Sequence, residues 1–280
     1  MPEPQLIHEY AHLRNCLSQT RQRRAVVMTM GALHQGHLTL VELAAKLADQ
    51  VVVTIFVNPL QFGPGEDYQI YPRTLPEDLA ALADYPVSVV YAPNVADIYP
   101  NGSPQVTINP GPAGTGYEGA IRPGHFAGVL TVVHKLLART RPDVAVFGQK
   151  DAQQLCLIKQ MINDLDWPCE VAVAPIHRDA DGLATSSRNR YLSPQQRQLA
   201  LHLPQAIRQG QSANTAAKAC QKTRQHLQAA GRDLQIDYVD AVDPSTFQAA
   251  APQSPQALLI AAVRIGTTRL IDNGSLLAGC

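Results

Sequence analysis

The amino-acid sequence predicts an α/β protein with a doubly wound parallel sheet, followed by a second, smaller α+β domain. Short apolar runs rich in β-branched residues alternate with helical patterns up to about residue 175. After about residue 185, Gln- and Ala-rich helical stretches and closely spaced strands replace this alternation. The length of 280 residues agrees with the division, because it corresponds to about two domains of ordinary size.

The first domain contains a clear strand–helix–strand unit. Residues 25–30 form an apolar run that ends at Gly31, which is typical of a buried parallel strand. In residues 38–47, leucine and alanine recur with the i, i+3, i+4, i+7 spacing of an amphipathic helix. Residues 51–57 are mostly β-branched and predict the next strand. Together these segments predict one βαβ unit.

The same alternation continues along the chain. Further helices are predicted over residues 75–84, 125–139 and 152–164, and further strands over residues 87–91, 143–147 and 170–174. Strands that alternate with helices pair in parallel, and the helices cover the sheet on both faces. Ligands bind such sheets at the carboxyl ends of the strands, so the loops that follow the strands are candidate functional segments.

The second domain has a different pattern. Helices are predicted over residues 194–210 and 213–230, and strands over residues 235–242, 257–263 and 269–271. These strands are too close together for parallel crossovers, so we expect antiparallel pairing. We place the domain boundary near Asp181-Gly182, which gives domains of residues 1–182 and 183–280.

Charge argues against a nucleic-acid partner. Lys and Arg together number 23 and so do Asp and Glu, which gives a formal net charge of zero. A dedicated nucleic-acid-binding protein normally has a basic excess. Any anionic ligand must therefore be held by a local site rather than by the overall field.

The cysteines and the N-terminal residues favour a cytoplasmic protein. The five cysteines are an odd number and include no C-x-x-C pair, which indicates reduced thiols. The first residues, MPEPQLIHEY, lack the apolar core of a signal peptide. No stretch approaches the ~18 apolar residues of a membrane span. We therefore expect a soluble, cytoplasmic protein with no membrane partner.

The turn after the first strong strand contains two histidines three residues apart. His34 and His37 begin the following helix, where unpaired backbone N–H groups and the helix dipole favour phosphate. Gly31 permits a sharp turn, and Gly36 allows close approach of the backbone to a ligand. Two imidazoles at this place can stabilise charge on a leaving pyrophosphate. The alternatives are one capping and one packing histidine, or zinc binding without further ligands.

The H-x-G-H turn resembles the signature of the nucleotidyltransferase superfamily, which includes class I aminoacyl-tRNA synthetases. The flanking segments resemble the pantothenate synthetase (pantoate–β-alanine ligase) family more specifically. The matching segments occur in order from about residue 25 to residue 273: MTMGALHQGHLTL, IFVNPLQFGPGEDYQIYPRT, EGAIRPGHFAGVLTVVHKLL, FGQKDAQQL, DGLATSSRNRYLS and RLIDN.

This resemblance implies a fold, a reaction and partners. The fold is a Rossmann-like N-terminal domain with a smaller C-terminal lid domain, usually in a homodimer. The reaction has two steps, in which ATP and pantoate first give pantoyl adenylate and pyrophosphate. β-Alanine then attacks the adenylate and gives pantothenate and AMP. ATP is a substrate, and Mg²⁺ is the implied cofactor.

The resemblance also implies the residues of the site. The catalytic residues would be His37, His34 and Lys150. The residues implied to bind ATP are Met30, Gly31, His34, Gly36, His37, Gly148, Lys150, Asp151, His177, Thr185, Ser186, Ser187 and Arg188. The residues implied to bind pantoate or β-alanine are Gln61, Gln154, Arg122 and His125.

Several of these residues have structural alternatives. Glu77 and Asp78 match a position linked to magnesium, but acidic residues are also common in the first turn of a helix. Gln61 alone would be interpreted as a surface glutamine, and Arg122 as a structural arginine before a helix. Asp151 can bind ribose hydroxyls or cap the next helix.

Three positions depart from the family pattern. Met28 stands where the family usually has proline, Gln149 where it has glutamate, and Ala152 where an aromatic residue is common. None of these departures removes a predicted phosphate donor. We expect effects on pocket rigidity and affinity rather than loss of activity.

Two other functions are weighed against the ligase. One is a nucleotidyltransferase that leaves the nucleotide on its product, and the other is a binding module that has lost its chemistry. The glutamines Gln61 and Gln154 fit a small acyl substrate and favour the ligase over the first alternative. The presence of His34, His37 and Lys150 argues against the second.

Overall fold

A computed structural model describes residues 3–19, 22–254 and 256–276. The chain forms two compact units. The first unit comprises the chain up to Gly148 together with residues 157–174, and the second comprises residues 149–156 and the chain from Pro175 onward. The domain boundary predicted near Asp181-Gly182 stays a prediction.

The first unit is built on a parallel sheet. Among the described residues its six strands are β1 (Gln5–Ile7), β2 (Arg24–Thr29), β3 (Gln50–Ile55), β4 (Val89–Tyr91), β5 (Val144–Gly148) and β6 (Glu170–Ala174). Their order is β1-β4-β3-β2-β5-β6, and every pairing is parallel. Since β3 and β5 lie on opposite sides of β2, the direction of winding reverses there. The carboxyl end of β2 is therefore at a topological switch point, where α/β sheets bind ligands.

Helices flank this sheet. They are α1 (Tyr10–Ser18), α2 (Gln35–Leu47), α3 (Leu75–Leu82), α4 (Val95–Ile98), α5 (Glu118–Ile121), α6 (His125–Thr140) and, from Leu157 onward, α7 (Ala152–Asp164), whose first turn belongs to the second unit. Leu40, Val41 and Ala44 of α2 pack against buried valines of the strands, among them Val27 and Val53. This apolar contact fixes α2, and with it the turn that precedes the helix, against the sheet.

The second unit contains helices and an antiparallel sheet. Its elements are α8 (Pro194–Ala200), α9 (His202–Gln211), α10 (Ala216–Ala229), β7 (Leu234–Val242), β8 (Leu258–Ile265) and β9 (Thr268–Ser275). The three strands pair in the order β7-β8-β9. Leu203 and Ile207 of α9 and Leu227 of α10 belong to an apolar core with Leu259 and Val263 of β8.

The predicted fold class is confirmed: a parallel α/β sheet is followed by a smaller antiparallel α+β unit. The structure differs in detail. The single helix predicted over residues 194–210 is two helices that meet at Leu201. The strand predicted over residues 269–271 extends to Ser275. Within the described residues, no helix is long and apolar enough to span a membrane.

Candidate active site

The turn between β2 and α2 brings His34 and His37 together. Gly31 (φ 82°) and Ala32 (φ 50°) adopt left-handed backbone conformations that reverse the chain between strand and helix. The N–H of His34 donates to Nδ1 of His37 at 3.3 Å. The imidazole rings stack with centroids 4.0 Å apart, and both side chains are half-buried. The pair lies at the N-terminal end of α2, where an anion is favoured.

Asp78 holds this turn from the neighbouring helix α3. Its carboxylate accepts the N–H of Ala32 at 3.1 Å through Oδ2 and the N–H of Leu33 at 2.7 Å through Oδ1. The side chain is 2% exposed. A Cβ atom on Gly31 would lie 2.9 Å from Asp78 Oδ2, so the close approach requires glycine. Sequence reasoning missed this contact, because it interpreted Asp78 only as a first-turn acid or a magnesium ligand.

Gln61 is buried next to the turn. It ends a short 3₁₀ helix (Pro59–Gln61) that follows β3, and it is 9% exposed. Its Oε1 accepts from Nδ2 of Asn58 at 3.2 Å, and its Nε2 lies 3.0 Å from Sδ of Met30. A thioether is a weak acceptor, so the amide N–H can donate more strongly to a substrate oxygen. Gln61 and Met30, two predicted substrate-contacting residues, are thus in contact.

Arg122 and His125 form a network with a residue that the sequence analysis did not single out. Glu66 accepts from Arg122 Nε at 2.9 Å and from Arg122 Nη2 at 2.6 Å, a bidentate ion pair. Arg122 Nη1 also lies 3.0 Å from His125 Nε2, and His125 Nδ1 lies 2.8 Å from the carbonyl oxygen of Gln61. Glu66 lies in the loop between β3 and α3, in a Gly- and Pro-rich stretch that predicts a loop but no partner.

The partners of His125 fix its protonation state. Arginine only donates, so Nε2 must accept, and Nδ1 then carries the proton that it donates to Gln61. Burial, reinforced by the positive charge of Arg122, lowers the pKa of His125 to about 4. The ring is therefore neutral at physiological pH. For Glu66, the hydrogen bond from Arg122 lowers the pKa, so the carboxylate is ionised.

In the second unit, Lys150 lies in a short segment whose backbone is hydrogen-bonded to the side chain of Asn273. Lys150 Nζ lies 3.5 Å from Asp151 Oδ1, and the Lys150 side chain is 22% exposed. Nδ2 of Asn273 donates to the carbonyl oxygens of Gln149 and Lys150 at 3.1 and 2.9 Å. Gln154, one turn into α7, is half-buried. These are the residues of the segment that the sequence assigns to phosphate and substrate binding.

The residues that precede Ser186 form a hairpin in the same unit, and side-chain hydrogen bonds stabilise it. His177 Nδ1 lies 2.8 Å from the hydroxyl of Thr185, and that hydroxyl donates to Asp179 at 2.6 Å. Asp179 also accepts from Arg197 at 2.7 Å. Burial would raise the pKa of Asp179, but these hydrogen bonds outweigh it and lower the pKa. The hairpin thus has a fixed shape, and Ser186, whose hydroxyl accepts the N–H of Arg188 at 3.3 Å, lies at its end.

The structure thus brings predicted site residues together in separate groups within each unit. In the first unit the contacts join His34 to His37, Met30 to Gln61, and Arg122 to His125. In the second unit they join Lys150 to Asp151 and His177 to Thr185. The described part of the chain contains no group of three or more His, Cys, Asp or Glu that could hold a metal ion.

Comparison with known proteins identifies the family. Residues 5–275 match the pantoate-beta-alanine ligase family. The chain belongs to that family. A pantothenate synthetase from Salinispora arenicola is 48% identical over 275 residues, which cover 97% of each chain. One from Chlorobaculum tepidum is 46% identical over 278 residues, covering 96% of this chain and 98% of the other.

Solved structures agree with this assignment. The crystal structure of pantothenate synthetase from Thermus thermophilus matches with a TM-score of 0.92 at 41% identity, over 98% of this chain and all of that chain. The pantoate-beta-alanine ligase of Francisella tularensis, complexed with βγ-ATP and β-alanine, matches with a TM-score of 0.82 at 33% identity, over 99% of each chain.

The departures from the family pattern lie in two kinds of environment. Met28 is a half-buried residue of β2, and Ala152 is the 8% exposed first residue of α7. Gln149 instead makes a polar contact, because its Nε2 donates to Oδ1 of Asn273 at 3.2 Å. The first two positions concern packing, whereas the third concerns a hydrogen bond beside Lys150.

Proposed function

We propose that this protein catalyses the ATP-dependent condensation of D-pantoate with β-alanine, through a pantoyl-adenylate intermediate, with release of AMP and pyrophosphate. Membership of the family supports the overall reaction. The observation that carries the mechanism is the stacked His34–His37 pair at the N-terminal end of α2, at the switch point of the sheet. The buried amide of Gln61 beside the same turn supports an acyl substrate there.

The histidine pair suits the first step. A carboxylate is a poor electrophile, and attack of the pantoate oxygen on the α-phosphorus makes it an acyl phosphate anhydride as pyrophosphate departs. Imidazole N–H groups and the positive end of α2 would stabilise the charge that develops on the phosphate oxygens. We assign this role to His34 and His37, with Met30, Gly31 and Gly36 lining the nucleotide.

The second unit would supply further nucleotide contacts. Lys150 carries a compact ammonium that suits a phosphate, and Asp151 suits ribose hydroxyls. His177, Thr185 and Ser186 on the hairpin, and Ser187 and Arg188 in the short 3₁₀ helix that follows it (Ser187–Tyr191), are also assigned to ATP. Their hydroxyl and guanidinium groups would donate to phosphate oxygens. In the first unit, Gly148 at the end of β5 is assigned to ATP as well.

We assign the binding of pantoate or β-alanine to Gln61, Arg122 and His125 of the first unit and to Gln154 of the second. Each amide can donate to one pantoate oxygen and accept from a hydroxyl. Arg122 already binds the carboxylate of Glu66 in two hydrogen bonds. A pantoate carboxylate that binds this guanidinium must therefore share it with Glu66 or displace Glu66 from it. We propose that His125 acts mainly by fixing the backbone of Gln61.

Magnesium would enter with ATP, whose phosphate oxygens are ligands of the kind that Mg²⁺ prefers. Both carboxylate oxygens of Asp78 already accept backbone N–H groups, and Glu77 is exposed. In this arrangement Glu77 and Asp78 do not form a preformed magnesium site. No step of the proposed reaction depends on a metal bound by them. A magnesium role for Glu77 and Asp78 stays a prediction.

We also propose that the protein is cytoplasmic and forms a homodimer.

The proposed function is tested by exchange of labelled pyrophosphate into ATP. We expect exchange that requires D-pantoate and Mg²⁺ but not β-alanine, because adenylation is complete before the amine reacts. Exchange that needs nicotinamide mononucleotide or another phosphorylated acceptor, and not pantoate, would instead support a nucleotidyltransferase that leaves the nucleotide on its product.

A further inference from the structure

Glu66 has no assigned role in the reaction, although it contacts a residue assigned to substrate binding. Its carboxylate accepts from Nε and Nη2 of Arg122 at 2.9 and 2.6 Å. The side chains of Glu66 and Arg122 are 25% and 19% exposed, so this ion pair is shielded but not closed off from solvent. An ion pair in such a place can exchange partners with a charged substrate.

Both edges of the Arg122 guanidinium that can bind a carboxylate are occupied. A carboxylate binds arginine through two parallel N–H groups. Glu66 occupies the Nε–Nη2 edge. On the other edge, Nη1 lies 3.0 Å from Nε2 of His125, and Nη2 lies 3.4 Å from the carbonyl oxygen of Gln61. A substrate carboxylate must therefore share an edge with one of these partners or replace it.

Glu66 is the partner that a substrate can replace. His125 and Gln61 are only 8% and 9% exposed, and they also hold each other, because Nδ1 of His125 donates to the carbonyl oxygen of Gln61 at 2.8 Å. Glu66 instead lies in the Gly- and Pro-rich loop between β3 and α3, where its N–H donates to the carbonyl oxygen of Gly63 at 3.1 Å. A carboxylate bound to Arg122 would leave Glu66 nearby without its counter-charge.

The second substrate carries the charges that this exchange requires. After adenylation the pantoyl group has no free carboxylate, whereas β-alanine has one carboxylate and one ammonium group. Its carboxylate can replace Glu66 on Arg122, and its ammonium group can then bind the carboxylate of Glu66. Two ion pairs replace one, so no charge in this half-buried place is left without a partner.

We propose that Glu66 is a catalytic residue of the second step, which binds the ammonium group of β-alanine and accepts a proton from it. This inference rests on the proposed function, in which β-alanine attacks pantoyl adenylate. An ammonium group has no lone pair, so it must lose a proton before it can attack the acyl carbon. A carboxylate in contact with that group is suited to receive the proton.

Arg122 controls how strong a base Glu66 is. In the free protein the hydrogen bond from Arg122 lowers the pKa of Glu66, and a carboxylate stabilised in this way is a weak base. Binding of the substrate carboxylate removes that hydrogen bond, while the burial that raises the pKa remains. Glu66 therefore becomes a stronger base when the carboxylate of β-alanine occupies Arg122.

The proposed step conserves protons and electron pairs. The ammonium group gives one proton to Glu66, and the lone pair that remains on nitrogen forms the bond to the acyl carbon. The bond between that carbon and the oxygen of AMP breaks, and its electron pair leaves with the phosphate of AMP. The second proton that nitrogen loses goes to this phosphate. When pantothenate departs, Arg122 returns to Glu66, which releases its proton to water.

The test compares Glu66→Gln with the native protein in the second step alone. Pantoyl adenylate is formed on the enzyme from ATP and D-pantoate, and pantothenate is measured in a single turnover after β-alanine is added. Glutamine has nearly the same size but cannot accept the proton. We expect the rate with β-alanine to fall by about 100-fold or more, as for the loss of a general base. Pyrophosphate exchange, which reports the first step, should fall far less.

Hydroxylamine as the nucleophile separates a catalytic role from a structural one. It attacks as a neutral amine and has no carboxylate, so its rate should be nearly the same in Glu66→Gln and in the native protein. Glu66→Asp, which keeps a carboxylate, should retain more of the rate with β-alanine than Glu66→Gln does. The matched control is Glu170→Gln, which breaks an exposed ion pair with Arg23 in the same unit and should leave both rates unchanged.

The outcomes separate the role of Glu66 from the function on which it rests. If the native protein shows no pantoate-dependent pyrophosphate exchange, the proposed function is overturned, and the role of Glu66 with it. If the native protein is active, an unchanged rate with β-alanine in Glu66→Gln would overturn the role of Glu66 alone. A loss of exchange, or of the rate with hydroxylamine, as large as the loss with β-alanine would do the same, because it would indicate a structural effect.

Discussion

Burial of His125 makes the stability of the folded protein depend on pH. The folded protein keeps its ring neutral, because burial and the facing charge of Arg122 lower its pKa to about 4 from the ordinary 6.5. Glu66 and Glu118 act in the opposite direction, but more weakly. The unfolded chain takes up a proton below pH 6.5, and the folded protein does not until about pH 4.

Stability should therefore fall as the pH drops through this window. Between pH 6.5 and about pH 5, His125 alone should lower the free energy of unfolding by about 2 kcal/mol. Urea unfolding at about pH 7 and about pH 5 should show this loss in the native protein and a smaller one in His125→Gln. The other histidines remain in both proteins and cancel in the comparison. Equal pH dependence in the two would show that His125 is not held neutral.

Gln61→Ala should weaken pantoate binding and leave ATP binding nearly unchanged. Its buried amide is anchored by Asn58 and faces Met30, so removal would leave a bound substrate with unpaired polar groups. The loss should be about 1–3 kcal/mol, or roughly 5- to 150-fold in affinity. Calorimetric titration with ATP and then pantoate measures both steps. Unchanged pantoate affinity in both Gln61→Ala and Gln154→Ala would rule out this assignment of pantoate binding.

His37→Ala should slow adenylation while the protein stays folded. Its ring stacks on His34 at the N-terminal end of α2, and one such donor typically contributes about 2.7–4 kcal/mol to transition-state stabilisation. Lys150→Ala should behave similarly, because it acts on the same developing charge. Single-turnover rates, with circular dichroism as the control for folding, check both. Near-normal rates would remove these residues from the mechanism.

At the scale of elements, the β2–α2 turn depends on helix α3. Asp78 accepts two consecutive backbone N–H groups of the turn, which a neutral amide cannot do with both of its terminal atoms. Asp78→Asn should therefore lower the free energy of unfolding by about 1–3 kcal/mol and slow adenylation. Asp84→Asn, at an exposed position just after α3, is the matched control.

The Mg²⁺ dependence distinguishes this role from that of a metal ligand. If Asp78 holds the turn, the Mg²⁺ concentration for half-maximal adenylation should be the same in Asp78→Asn and in the native protein. If Asp78→Asn were as stable as the native protein but required more Mg²⁺, the positioning role would be wrong and Asp78 would be a magnesium ligand instead.

Periodicity predicted some elements well and others poorly. The predicted bounds of α7 and β6 coincide with the structure. β9 was predicted too short: the polar residues Asp272 and Asn273 follow the predicted range, yet they belong to the strand. Their side chains are buried and make hydrogen bonds to residues distant in the sequence, which a local pattern does not reveal. The three-residue strand β1 is likewise too short for any periodicity to show.

At the scale of the molecule, the sequence predicts the fold class and the segments of the site better than it predicts their partners. Alternating strands and helices indicate the parallel sheet, and glycines and histidines mark the turn after β2. The partners of those segments come from distant parts of the chain: Asp78 for the turn, Glu66 for Arg122 and Asn273 for Lys150. Such pairings depend on tertiary structure.

In the proposed reaction, this protein activates the pantoate carboxylate by transferring AMP to it. The most direct measurement uses D-pantoate labelled with ¹⁸O in its carboxylate, together with ATP, Mg²⁺ and β-alanine. If pantoyl adenylate forms, the amine attacks the acyl carbon and one labelled oxygen leaves with the phosphate of AMP. We expect mass spectrometry to find one ¹⁸O in AMP for each pantothenate formed. Unlabelled AMP, or label in inorganic phosphate with ADP as the other product, would show that pantoyl adenylate is not the intermediate.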